Sequence, residues 1–247
     1  MLHVPRKTLP TYGGATILSL LILALVMQLW RADIAVPFSY GGGDETLHGT
    51  LIKGVVDNGW YLHNPFLGMP AGLDLHDFPV GDNFHLVWMK LISFLSLNYA
   101  ITFNVYFILA FPLTVVTSLY VLRQFSISIL PAIVSSLLFA FLPYHFFKGQ
   151  GHFFLGTYYV VPLIVMVIVW VCMGEFFSNG RIVLKKIFTG IAICIAVGSE
   201  IPYYAFFSGF LLLVSGIFST FRQISIKPLA ITVLYNRVHH DLDHRSP

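Results

Sequence analysis

From Ala100 to Leu122 the chain runs without one charged side chain. Comparable apolar runs lie at Ala15–Trp30, Ile129–Phe147, Tyr158–Met173, Ile187–Val197 and Pro202–Phe218. A hydrocarbon core takes about twenty helical residues to cross. Most of these runs approach that length, and the fifth does so only if it starts under Leu184 and continues to Ser199. The rest of the composition agrees. Hydrophobic residues make up 57% of the chain and charged residues 10%, where a soluble domain is roughly a quarter charged. There is too little polar surface to cover a water-soluble globule. The reading is an all-α integral membrane protein with about six transmembrane helices.

The charges are too sparse for a nucleic-acid footprint. Cys172 and Cys194 both fall inside apolar runs, where cysteine behaves as a small core hydrophobe. The first run is longer than a signal-peptide core and has only a weak cleavage site at Ala32–Ala35, so it reads as an uncleaved anchor.

Basic residues set the expected orientation. Arg6 and Lys7 precede the first run, and Arg123 separates the second from the third. Arg181, Lys185 and Lys186 separate the fourth from the fifth, and Arg222 and Lys227 follow the sixth. All fall on one side if Phe84–Leu97 does not cross, and the excess of Lys and Arg marks that side as cytoplasmic. Phe84–Leu97 therefore reads as a helix lying at the outer interface. The N-terminus, 1–14, is then cytoplasmic. A long loop, 31–99, lies on the outer face of the inner (cytoplasmic) membrane, periplasmic or extracellular.

That loop holds Asp33, Asp44, Glu45, Asp57, Asp74, Asp77 and Asp82. Carboxylates carry little topological weight, so their crowding has another cause. Gly41–Gly43 permits backbone shapes closed to other residues. Asp44 follows at a helix N-cap, Glu45 in the first turn, and Leu47, Leu51 and Val55 at helical spacing, to a stop near Asn58–Gly59. Trp60 and Tyr61 suit the headgroup level.

The Gly-Gly-Asp-Glu stretch, then WYLHNPFLGMPAG, DLHDFPVGD and FAFLPYHFFKGQGHFFLGTYYVVPL, resembles the GT-C superfamily of membrane glycosyltransferases, in particular a group of bacterial sugar transferases. The resemblance covers roughly Ala15 to Ser219, so 15–219 is expected to be a GT-C-like transmembrane domain. It implies a polyprenyl-phosphate sugar donor, a lipid or glycan acceptor, and a carboxylate of the first outer loop as base. That carboxylate is Asp44, with Glu45 as the alternative. A base there must reach the acceptor hydroxyl, and one carboxylate suffices for direct displacement because a phosphate leaves with little protonation. The competing role for Asp44 is a plain N-cap, and for Glu45 a partner of the helix dipole. In another arrangement one of the pair binds a divalent cation, Mg or Mn, that neutralises the leaving phosphate.

Lys148 and His152 flank two glycines in the second outer loop. Glycine allows close approach and lysine offers a point charge, so the pair is a candidate donor-phosphate site; the alternative is a lysine reaching for lipid headgroups. His48, one turn after Asp44, could face the same ligand. Asp77 is a candidate for acceptor binding in a segment whose acids otherwise cap turns. Glu200 closes the fifth run on the same face, as a site-lining or capping residue. His145 lies deeper and needs a partner.

The chain departs from the superfamily at its C-terminal end. In 220–247 a run begins at Pro228–Leu234 and gives way to a polar tail with His239, His240 and His244. It reads as a partial span followed by a disordered end. Two alternatives follow: a truncated, non-catalytic membrane protein, or a second polypeptide that completes the fold. A lipid or sugar transporter is a third, weakened by spans nearly free of ionisable groups.

Overall fold

The computed structural model describes residues 9–39, 44–78, 82–178 and 181–223. The glycines 41–43 and the tail with its histidines lie outside them. The chain forms two compact units. One comprises Met1–Phe78 and His85–Tyr159, the other Pro79–Phe84 and Val160–Pro247.

In the first unit, α1 (Leu9–Met27), α4 (Tyr99–Gln124) and α5 (Ile129–Ala140) pack together, α4 touching both others. The contact is built from Ala15, Val115, Leu119, Ala132 and Ala140. The three alanines let helix backbones approach closely where no hydrophobic effect drives helices together. The Asn98 side chain starts α4 by accepting from the Ala100 and Ile101 amides at 2.8 and 3.4 Å, satisfying donors the first turn leaves open. After α5 the helix pauses at Phe141 and Leu142, resumes as α6 (Pro143–Lys148), and is followed by the short α7 (Phe153–Gly156).

Two shorter amphipathic helices complete the unit. α2 (Glu45–Asp57) buries Leu51, Ile52 and Val55 and packs on α4. α3 (Asn83–Ser93) buries His85, Leu86 and Met89 while Val87, Trp88 and Leu91 stay exposed. Between them two strands of two residues each, β1 (His63–Asn64) and β2 (Leu73–Asp74), pair antiparallel.

The second unit packs α8 (Val161–Met173), α9 (Leu184–Gly198) and α10 (Pro202–Gln223) against one another. α8 ends at Gly174, whose φ of 69° places it in the left-handed region that closes helices. A short hairpin of β3 (Phe177–Ser178) and β4 (Arg181–Ile182) leads to α9. Lys186 pairs with Glu175 and lies 5.1 Å from the Trp170 ring. Cys194 is fully buried, as a small hydrophobe would be.

Among the described residues, four helices are long and apolar enough to cross a bilayer: Leu9–Met27, Tyr99–Gln124, Ile129–Lys148 (α5 with α6) and Pro202–Arg222. The fourth and fifth apolar runs form helices of 13 and 15 residues, shorter than the twenty or so that a straight crossing takes.

Candidate functional site

The site of the first unit begins with an amide on α4. Asn104, fully buried, donates through Nδ2 to the carbonyls of Ile34 and Val36 at 2.9 and 2.7 Å. Its Oδ1 accepts from the Phe38 amide at 3.2 Å and from Gln150 Nε2 at 2.8 Å. Gln150 in turn accepts from the Ser39 amide at 3.0 Å. Two side-chain amides thus bind the segment 34–39 to α4 on one side and to the 149–152 loop on the other. Buried polar groups in such a network are stabilising only when all are satisfied, and here each amide oxygen and Asn104 Nδ2 have partners.

Ser39 leads toward Asp44, which returns to the same loop. Its backbone N–H donates to the Gly151 carbonyl at 3.0 Å. Asp44 occupies the N-cap position of α2, yet its side chain makes no capping hydrogen bond. Its Oδ2 instead lies 3.1 Å from His152 Nδ1. With its proton on Nδ1 the imidazole donates to the carboxylate. Both side chains are about half exposed, 45% for His152 and 59% for Asp44. An exposed pair of this kind contributes at most about 1 kcal/mol to stability. A capping bond would contribute as much, so stability does not explain the arrangement.

The loop can approach because of Gly149. Its φ of 47° and ψ of −137° suit glycine, and a Cβ there would lie 3.0 Å from the Phe146 carbonyl. Beside the pair is a cleft of about 410 Å³ with Lys148, Gln150 and His152 on its polar side and Phe107, Phe146 and Met27 on its apolar side. Lys148 is half-buried, 5.8 Å from the Tyr144 ring.

Behind Asp44 the helix turns His48 inward. Its ring meets Phe154 at 4.6 Å, edge to face, and Phe154 in turn stacks on His85 at 5.2 Å. Burial pulls the His48 pKa down to about 4, against the opposing pull of Asp44. Burial does the same to His85, to about 3, with His48 adding to it. Both rings are neutral at pH 7. His85 Nδ1 lies 2.8 Å from the Tyr106 hydroxyl, which lies 2.8 Å from that of Tyr159.

The structure therefore joins Asp44, His48, Lys148 and His152 around one loop. Glu45, only 6% exposed, lines a separate pocket with Lys53. Asp77 is exposed in a turn after β2, beside the Asp74 side chain that accepts from the His76 amide at 3.0 Å. Glu200 belongs to the second unit, where it is fully buried and feels the charge of Asp82. His145 is also buried, with Nδ1 2.9 Å from the Ala140 carbonyl and its ring stacked on Phe111 at 3.8 Å.

Asn104, Gln150 and the His85–Tyr106–Tyr159 chain are absent from the sequence reading. Asn104 left a signal, being the only amide between Ala100 and Leu122; a polar side chain inside such a run marks an internal partner. Nothing local in the sequence distinguishes Gln150.

Among the described residues no group of three or more His, Cys, Asp or Glu is placed to hold a metal ion. Asp44 shares its carboxylate with an imidazole and Glu45 faces another pocket, whereas Mg and Mn favour several oxygen ligands converging on one point. The residues present do not make that cage. Comparison of the chain with family models, with curated proteins and with solved structures found no match.

Proposed function

We propose that the first unit carries the site of a membrane glycosyltransferase, which moves a sugar from a polyprenyl-phosphate donor to a hydroxyl of a lipid or glycan acceptor. The observation that carries this reading is the direction of the Asp44 carboxylate. It leaves its own helix uncapped and meets His152 at the rim of a cleft that also holds Lys148.

In this reading the apolar side of the cleft takes the first part of the polyprenyl chain, and Lys148 faces the phosphate. Lysine is a strong point charge for such a group. Asp44 takes the acceptor O–H proton as the acceptor oxygen bonds to the anomeric carbon. The bond from that carbon to the phosphate oxygen breaks, and its electron pair leaves with the phosphate beside Lys148. His152 holds the carboxylate in place without protonating it. Neutral His48, one turn along α2, adds no second positive charge beside the base.

The same reading gives the chain about six crossings of the inner membrane, with α8 and α9 as short ones. The N-terminus is cytoplasmic and α2 and α3 lie along the outer interface, in the manner of the GT-C superfamily. α3 supports this with its exposed Val87, Trp88 and Leu91 opposite a buried face.

The test is transfer of radiolabelled sugar from a panel of polyprenyl-phosphate donors to total membrane lipids by purified protein. Wild type should transfer label, and Asp44→Asn should lower the rate on the order of 100-fold or more while still inserting and folding. Equal rates for the two proteins, or no transfer by folded wild type, would overturn the proposal.

A further inference from the structure

Ile129–Lys148 is one apolar run in sequence but two helices in space. Pro143 is the cause. A proline disfavours the helical region for the residue before it, and Leu142 has an extended ψ of 142°. Pro143 also has no N–H, so the Phe139 carbonyl loses the donor that an unbroken helix would give it. The join between α5 and α6 therefore lacks the backbone ladder that would set the direction of α6.

Two side chains take the place of that ladder. The Tyr158 hydroxyl donates to the Phe139 carbonyl at 2.9 Å. His145 Nδ1 lies 2.9 Å from the Ala140 carbonyl. A carbonyl only accepts, so Nδ1 carries the proton and donates. Both side chains are buried. The His145 ring is held as well, parallel to Phe111 of α4 at 3.8 Å and 4.9 Å from the Tyr158 ring. The His145 carbonyl accepts from the Gly149 amide at 3.0 Å, where the loop to His152 begins.

We propose that His145 and Tyr158 are positioning residues: they splice α5 to α6 across the break and so aim Lys148 into the cleft. This rests on the glycosyl-transfer reading for the task of Lys148 and adds what holds that lysine on the donor phosphate. Lys148 ends α6, one turn after His145, and lines the cleft. Its Nζ lies 5.8 Å from the Tyr144 ring, which is itself 5.9 Å from the Tyr158 ring. Satisfying two carbonyls does not by itself require this arrangement. Water or a small hydroxyl can do that at a break inside a membrane helix, and α6 would then be free to swing. A donor fixed in a ring stacked on α4 is not.

The experiment measures the join directly. Spin labels go on Leu130→Cys in α5 and Phe147→Cys in α6, 72% and 84% exposed, with Cys172→Ala and Cys194→Ala, in the full chain in lipid nanodiscs. Helical rise separates the two positions by on the order of 25 Å, within reach of pulsed EPR. Wild type should give one narrow distance. His145→Phe and Tyr158→Phe each keep a ring and lose the donor, and each should broaden it. His145→Asn, whose amide can donate where Nδ1 does, should narrow it again. On unlabelled protein the two Phe variants should raise the donor KM about tenfold, as a displaced charged contact does, and leave the acceptor KM within about twofold.

Unchanged distances in both Phe variants would refute the splice. Donor and acceptor KM rising together would refute the aiming of Lys148, because a general loss of structure moves both. The EPR measurement needs no turnover. Broadened distances without any transfer by wild type would sink the catalytic reading and keep the splice. Transfer with unchanged distances would do the reverse.

Discussion

At the scale of single residues, Asn104 matters most to the geometry. One buried amide accepts from Phe38 and Gln150 and donates to two carbonyls. Removing it leaves Gln150 Nε2 and the Ile34 and Val36 carbonyls to find new partners. An unsatisfied buried group costs roughly 1–3 kcal/mol, so Asn104→Ala should destabilise the first unit by about 3 kcal/mol. Asn104→Asp should fare no better, because a carboxylate cannot donate to the two carbonyls. Equilibrium unfolding measures the loss, and limited proteolysis should cut within 34–39 in both variants. Protection of that segment in Asn104→Ala would show that the amide does not hold it.

At the scale of elements, the 149–152 loop exists because of a backbone shape. Gly149 combines a positive φ with a carbonyl 3.0 Å from where a Cβ would be. Gly149→Ala must move the loop or carry the strain, which is on the order of 1–3 kcal/mol. Either way His152 shifts relative to Asp44. The expected outcome is a lower melting temperature together with a raised KM for the donor. Gly13→Ala in α1, where a Cβ meets nothing within 4 Å, is the control and should melt at or above the wild-type temperature. Equal melting of the two variants would remove the argument for strain.

At the scale of the whole molecule, burial shifts two histidines in the first unit and two acids in the second. In the first, burial lowers His48 from 6.5 to about 4 and His85 to about 3. Their neutral forms support the fold fully above pH 6.5, and the support is lost as pH falls through 4. In the second, burial raises Asp82 from 3.8 to about 7. Glu200 is raised well above 4.5, by burial first and by Asp82 second. These acids support the fold while protonated, so their contribution is full below about pH 4 and is lost as pH rises through 7. Each group changes stability by about 1.4 kcal/mol per pH unit within its window. Between pH 4.5 and 6.5 the first unit should therefore gain stability and the second should lose it. Single-tryptophan variants keeping Trp60 or Trp170 can report the two melts separately. Asp82→Asn should flatten the second trend and leave the first alone. Parallel trends in the two units would contradict this account.

Much of the architecture was legible in the sequence. Charge-free runs dictate apolar helices, because a backbone surrounded by hydrocarbon must satisfy its own hydrogen bonds. α2 was readable from Asp44 through Asn58 for a local reason: caps, helical spacing and a stop signal lie within the segment itself. The position of Asp44 as a first helical neighbour was equally local. The direction of its side chain was not. Whether it caps α2 or meets His152 depends on a loop more than a hundred residues away, brought close by Gly149, Gln150 and Asn104. The pocket that Glu45 lines likewise depends on the segment 37–39, which side-chain amides far away in sequence hold. Periodicity and capping act over a turn or two of chain, so the sequence determined the elements. Only the packed structure decided which side chains meet, because contacts between distant segments leave no mark on local pattern.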